Sequence, residues 1–203
     1  NSKIIVLLLL IGLFLTGCGK KEESDTKKPS NDNQNQTDVK NLKIVDANSK
    51  SRPYAVMINN ISVARPLQSG LQDAYLMYEI IVEGGITRYM ALFMDQNTTR
   101  IGSIRSARHY FLDYALENDA IYVHHGQSPQ AQSDFSALGV DRIVVDNSKT
   151  GWRDKSLKVA SEHTLFTSIE KLNNGLGSKR TTRNNNLLLN YSVDEVDLSK
   201  KKD

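Results

Sequence analysis

The chain has 203 residues, of which 39% are hydrophobic and 24% charged, with a formal net charge of +3 and a single cysteine. One cysteine excludes an intramolecular disulfide, so the fold must stand on its core. So mild a charge, part of it in the terminal Lys200-Lys201-Lys202 run, gives no electrostatic footprint for nucleic acid, and none is expected as a partner.

Lys3 precedes an unbroken apolar run, Ile4 to Leu15, and Leu15-Thr16-Gly17-Cys18 follows. Those twelve residues fall short of the roughly 20 that cross a bilayer as a finished helix. A basic start, a short apolar centre and small residues before a cysteine read as a secretory leader over residues 1–17. Leu-Thr-Gly-Cys resembles a lipobox, in which the cysteine thiol takes a diacylglyceryl group. Cys18 is then the lipidated, palmitate-bearing N-terminus, holding the chain to the cell membrane on its extracytoplasmic face. Two acyl chains suffice for stable anchoring where one does not. Residues 18–42 carry Lys-Lys-Glu-Glu-Ser-Asp and then an Asn/Gln-rich stretch with almost nothing apolar, the composition of a disordered tether.

From residue 43 to 198 the apolar runs are spaced like those of a packed domain. Tyr54 to Ile58 reads as a buried strand closed by Asn59-Asn60. Leu71, Ala74, Tyr75 and Tyr78 stand at helical spacing, and a short helix is expected to run into a strand over Leu76 to Val82. Glu83-Gly84-Gly85 then signals a hairpin to a strand over Ile86 to Met94. Ser106 is expected to cap an amphipathic helix reaching Glu117. Asp119 to Val123 is a strand, and Ser128-Pro129 opens a helix that stops near Leu138-Gly139. Ile143 to Val145, Thr167 to Leu172 and Leu187 to Tyr191 are read as strand, helix and strand. This alternation predicts an α/β (mixed α+β) class: one domain whose mixed, partly antiparallel sheet is flanked by helices.

Five stretches share an order found elsewhere. They are Arg52-Pro53-Tyr54-Ala55-Val56-Met57-Ile58-Asn59-Asn60, Glu83-Gly84-Gly85-Ile86-Thr87-Arg88, Ile101-Gly102-Ser103-Ile104-Arg105-Ser106-Ala107-Arg108, His124-His125-Gly126-Gln127-Ser128-Pro129 and Gly151-Trp152-Arg153. Over about Arg52 to Leu172 the chain resembles the YerB-like lipoprotein family, whose N-terminal domain is a domain of unknown function. The resemblance implies a surface-anchored protein of Gram-positive type bacteria with a second, smaller domain after this one. Residues 199–203 then form a basic tail cut short before that domain. The family pattern departs at Ala160-Ser161-Glu162-His163-Thr164, where a Pro-His-Asn step is more usual.

Arg105 and Arg108, three apart at an expected helix start, would share one face near backbone N–H groups that favour an anion. With Arg88 from the hairpin they suggest a phosphate or carboxylate site, since a planar guanidinium binds two oxygens at once. The plainer alternative is that these arginines pair with Glu83, Glu79 or Asp113. Of His124 and His125 one must face the core, and His125 with Ser128 could touch a polar ligand at a helix start. Trp152 beside Arg153 could stack on a sugar or simply cap the edge of the core. His125, His163 and Glu83 or Glu162 lack any fixed metal-ligand spacing, no Gly-x-Ser-x-Gly elbow is present, and neither metal nor cofactor is expected. The expected function is a tethered domain whose cleft, lined by Glu83, Arg88, Arg105, Arg108, His125, Ser128, Trp152, Arg153 and His163, binds an anionic or glycan-like envelope component or a partner protein. The alternative is an envelope enzyme acting on a phosphate-linked polymer or lipid pyrophosphate, by analogy of fold with polymer transferases of the LytR-CpsA-Psr type.

Overall fold

A computed structural model describes residues 45–191 and 199; the leader, Cys18, the tether and the terminal lysines lie outside the described residues. Strand β1, Tyr54–Asn59, is buried along its whole length. Its residues alternate between two core clusters, Ala55 and Met57 in one and Tyr54, Val56 and Ile58 in the other. A strand covered on both faces belongs in the middle of a sheet, and β1 lies there. On one side it pairs antiparallel with β3, Thr87–Phe93, in a register that sets Met57 opposite Met90. On the other it runs parallel to β5, Ile121–His124, with Val56 opposite Val123. β2, Leu76–Ile81, alternates half-buried and exposed residues, as an edge strand with one packed face should. β6, Arg142–Val144, closes the other edge in parallel, giving the order β2-β3-β1-β5-β6.

A second, three-stranded antiparallel sheet has the order β4-β8-β7, built from β4 Ile101–Gly102, β8 Leu165–Thr167 and β7 Trp152–Arg153. Helices α1, Leu112–Glu117, and α2, Pro129–Ala137, bring Leu112, Ala115, Ala131 and Phe135 onto one face of the main sheet. Helix α3, Ile169–Asn174, and the small sheet bring Ile101, Leu165, Ile169 and Leu172 onto the other. Burying each such Leu, Ile or Phe contributes roughly 1.5–3 kcal/mol relative to exposure. The architecture is thus the mixed α+β domain that the alternation implies. Ser128 Oγ accepts a bond from Ala131 N at 3.2 Å and Pro129 follows at the first helical position, the start expected for α2.

Two expectations fail. Ser106 caps no helix, because the chain stays extended until the 3₁₀ turn His109–Phe111 that leads into α1. The backbone on either side of it is bonded to other strands and loops: Ile104 N donates to Leu165 O, Arg105 N to Met57 O and Ala107 N to Gly126 O, at 2.8–2.9 Å. Arg105 and Arg108 are therefore not helix-face neighbours. Leu187 to Tyr191 forms no strand; Leu187 and Tyr191 pack against the first core cluster instead, Tyr191 edge-on to Tyr75.

The misread segment organises the site. Residues 103–108 cross the carboxyl ends of β1 and β5 as a strap: Asn59 N donates to Ser103 O at 2.9 Å, and His125 N to Arg105 O at 3.1 Å. Gly126 lets the strap pass, since it sits at φ +75° and a Cβ there would stand 2.9 Å from Ser106 Oγ. In open sheets the crevice at the carboxyl ends of parallel strands is the usual place for a ligand.

Candidate functional site

Arg88 lies in β3 directly opposite Asn59, the last residue of β1. Only 5% of it is exposed. One terminal nitrogen donates to Ser106 O at 2.8 Å, while its Nε–H is buried and has no partner among the described residues. No carboxylate of the described residues lies within ion-pair distance of it. An unpaired buried charge is costly, and burial, with Arg108 and then Arg105 nearby, pulls the Arg88 pKa down to about 10.

Arg105 repeats the pattern in weaker form. Its Nε is also buried without a partner among the described residues, and its terminal nitrogens reach Glu162 O at 3.3 Å and Glu162 Oε1 at 3.4 Å, distances at the long limit of a hydrogen bond. Arg108 is better satisfied, with Nε 2.5 Å from Glu83 Oε1 and a terminal nitrogen 2.8 Å from Ala107 O. That hydrogen bond holds the Glu83 carboxyl below the usual range, so Glu83 is a poor proton donor. Three guanidinium groups thus face two carboxylates, whose side chains are 60% and 62% exposed, and one positive charge is in surplus.

The 3₁₀ turn Ser161–His163 ties the neighbouring groups to this cluster. The buried His163 accepts at Nδ1 from the Asn59 amide at 2.9 Å; Asn59 Oδ1 is meanwhile the acceptor for Ile61 N at 3.3 Å. The neutral ring then carries its proton on Nε2, 3.6 Å from Glu162 Oε1. On the far side of the turn, Arg153 donates to Ser161 O and approaches His125 Nε2 at 3.3 Å, while His125 Nδ1 donates to Val145 O at 2.7 Å. Beyond Arg153 opens a groove of about 330 Å³ lined by Lys155, Leu157 and Val159 among others.

Glu83, Arg88, Arg105, Arg108 and His163 therefore meet at one end of the sheet, with Arg153 and His125 adjoining across a single turn. Ser128 is occupied as the cap of α2. Trp152 packs on Phe166 with Arg100 lying over both rings, and alternation along β7 turns it away from the side of Arg153. Gly84 and Gly85 take φ of +76° and +70° with open space around them, as a turn requires. His124 is the core histidine, fully buried and stacked on Phe135 at 5.1 Å; burial lowers its pKa to about 4. Among the described residues no three His, Cys, Asp or Glu side chains gather as a metal site would need, and no helix is long and apolar enough to cross a membrane. Asn59 and Glu162 complete the cluster and were harder to read. The one signal for Asn59 is a polar residue ending a wholly apolar strand.

This mixed-sheet domain with arginines clustered at its strand ends falls within a recognised class: residues 41–182 match the family described as "Protein of unknown function (DUF3048) N-terminal domain", and the chain belongs to it. Over 192 residues it is 32% identical to "Putative lipoprotein YerB" of Bacillus subtilis (strain 168), across 93% of this chain and 56% of that protein. The crystal structure of YerB protein from Bacillus subtilis superposes with a TM-score of 0.59 at 36% identity, covering 66% of this chain and 46% of that one. The chain spans about half the length of these relatives.

Proposed function

We propose that this chain is a lipoprotein domain, held at the extracytoplasmic face of the cell membrane by a lipid on Cys18, that binds an anionic component of the cell envelope at the Arg88–Arg105 cluster without converting it. The observation that carries the reading is Arg88 itself: a residue 5% exposed, with no carboxylate partner and an unmet Nε–H among the described residues. A protein that retains an uncompensated buried cation gains from an anion that completes it. Arg105 adds a second unmet donor, and the two exposed carboxylates can swing out to admit a ligand. The name carried by the Bacillus subtilis relative supports the anchor, as does the lipobox-like Leu15-Thr16-Gly17-Cys18.

Calorimetric titration with inorganic phosphate and with phosphate-bearing wall polymers tests the binding. The wild type binds one equivalent and Arg88→Gln loses it; equal binding by both removes the site. Incubation with a lipid-linked pyrophosphate, with and without divalent metal, leaves that substrate intact if the domain only binds. Cys18→Ser shifts the protein from the membrane fraction to the soluble one if the anchor is as proposed, and unchanged membrane association contradicts it.

A further inference from the structure

We infer that the ligand is a linear polyanion, a phosphodiester-linked polyol, whose consecutive phosphates occupy two seats: the Arg88–Arg105 cluster and the groove beyond the Ser161–His163 turn. The inference rests on the anion site proposed above and adds what lies next to it. Arg153 has no carboxylate partner among the described residues; it is held by Ser161 O and His125 Nε2. Lys155 is exposed on the same groove, again without a partner among the described residues. The groove's own carboxylate, Asp154, is committed to Arg100 at 2.9 Å and to Ser156 at 2.6 Å.

Two cations in surplus thus stand across one turn from a cluster that carries one more. The turn is shared backbone: Ser161 O serves Arg153 while Glu162 O serves Arg105. A single phosphate can fill only one of these positions. A chain with one negative charge per unit matches both, and arginine forks suit the paired oxygens of a phosphodiester. Leu157 and Val159, half-buried in the groove wall, offer apolar contact to the carbon backbone between phosphates. Linking two weak contacts in one ligand makes the second effectively intramolecular, so affinity rises with chain length without any new kind of contact.

The test uses the full chain in non-ionic detergent, titrated with glycerol phosphodiesters of one to six units and with polyglutamate of matched length. Affinity is expected to rise at least about tenfold between one unit and three. Arg153→Gln with Lys155→Gln should abolish that rise, whereas Arg88→Gln should weaken binding at every chain length. The exposed Lys155→Gln alone should reduce the rise by part and has no reason to disturb folding. Length-independent affinity, or an unaltered length dependence in the double variant that still melts like wild type, overturns the two-seat inference while phosphate binding through Arg88 stands. Polyglutamate binding as well as the phosphodiester overturns the assigned ligand class. No binding of any anion by the wild type overturns both this inference and the function it rests on.

Discussion

Replacing Arg88 by methionine should stabilise the protein while removing its ligand. Arg88 is 5% exposed, and chiefly burial pulls its pKa down to about 10. That displacement corresponds to roughly 3 kcal/mol against the charged form, or about 2 kcal/mol once partial solvent screening is allowed. Arg88→Met keeps most of the aliphatic stem and loses one bond, to Ser106 O, at a cost of about 1 kcal/mol. The balance is a gain of about 1 kcal/mol, an upward Tm shift of about 2–4 °C for a domain of this size. Differential scanning calorimetry in phosphate-free buffer reads it directly. Adding phosphate should then raise the wild-type Tm, because a ligand that binds only the folded state stabilises it by mass action, and leave the variant unmoved. A loss of more than about 1 kcal/mol without anion would show that Arg88 braces the strap as a structural residue, and the reasoning would fail.

Other outcomes follow from the same geometry. Glu162 sits on Arg105 with contacts of 3.3–3.4 Å and a side chain 60% exposed, so Glu162→Gln should tighten phosphate binding by about threefold, the scale of one weak surface pair; isothermal titration checks it. His124 is neutral and buried, its pKa lowered to about 4 by burial against about 6.5 when unfolded. The unfolded chain therefore binds more protons between those values. Its contribution is complete above pH 6.5 and is lost as the pH falls toward 4, amounting to about 2–3 kcal/mol. Urea unfolding at pH 7 and pH 4.5 should show that loss, and His124→Leu should shrink it. Gly151→Ala would set a Cβ 2.4 Å from Val145 Cγ1 and 2.7 Å from both Asp146 O and Phe166 O. Overpacking of that kind should destabilise by about 2–3 kcal/mol, measurable as a fall in Tm with no change in secondary structure.

The fold was legible where local pattern and tertiary pairing agree. Tyr54 to Ile58 reads as a buried strand because no polar residue interrupts it, and Ser128-Pro129 marks α2 because cap and proline act within one turn. Ser106 misled because a serine before an amphipathic run is a cap only if the backbone after it is not already bonded elsewhere. Here Ala107 N donates to Gly126 O and Ser128 N to Ala107 O, while Leu165 and Met57 hold the two residues just before the serine. The two-residue strands β4 and β7 carry too few residues to show any alternation. Leu187 to Tyr191 has the composition of a strand but finds core rather than a sheet edge. At the site, Arg88, Arg105 and Arg108 were identifiable from residue type, yet for a partly wrong reason: the strap's crossing of the sheet ends brings them together, not a shared helix face. The pairing of Glu162 with Arg105 depends on a contact spanning 57 positions, which no local spacing encodes.

The arginine Nε–H resonances, followed by proton–nitrogen NMR during a phosphate titration, report directly on whether the buried donors complete an anion. Those of Arg88 and Arg105 should move together and saturate at one equivalent, while that of Arg52, held by Asp119 O at 2.7 Å on the opposite end of the sheet, stays fixed. Stationary Arg88 and Arg105 signals at phosphate concentrations that shift the exposed side chains would contradict the account.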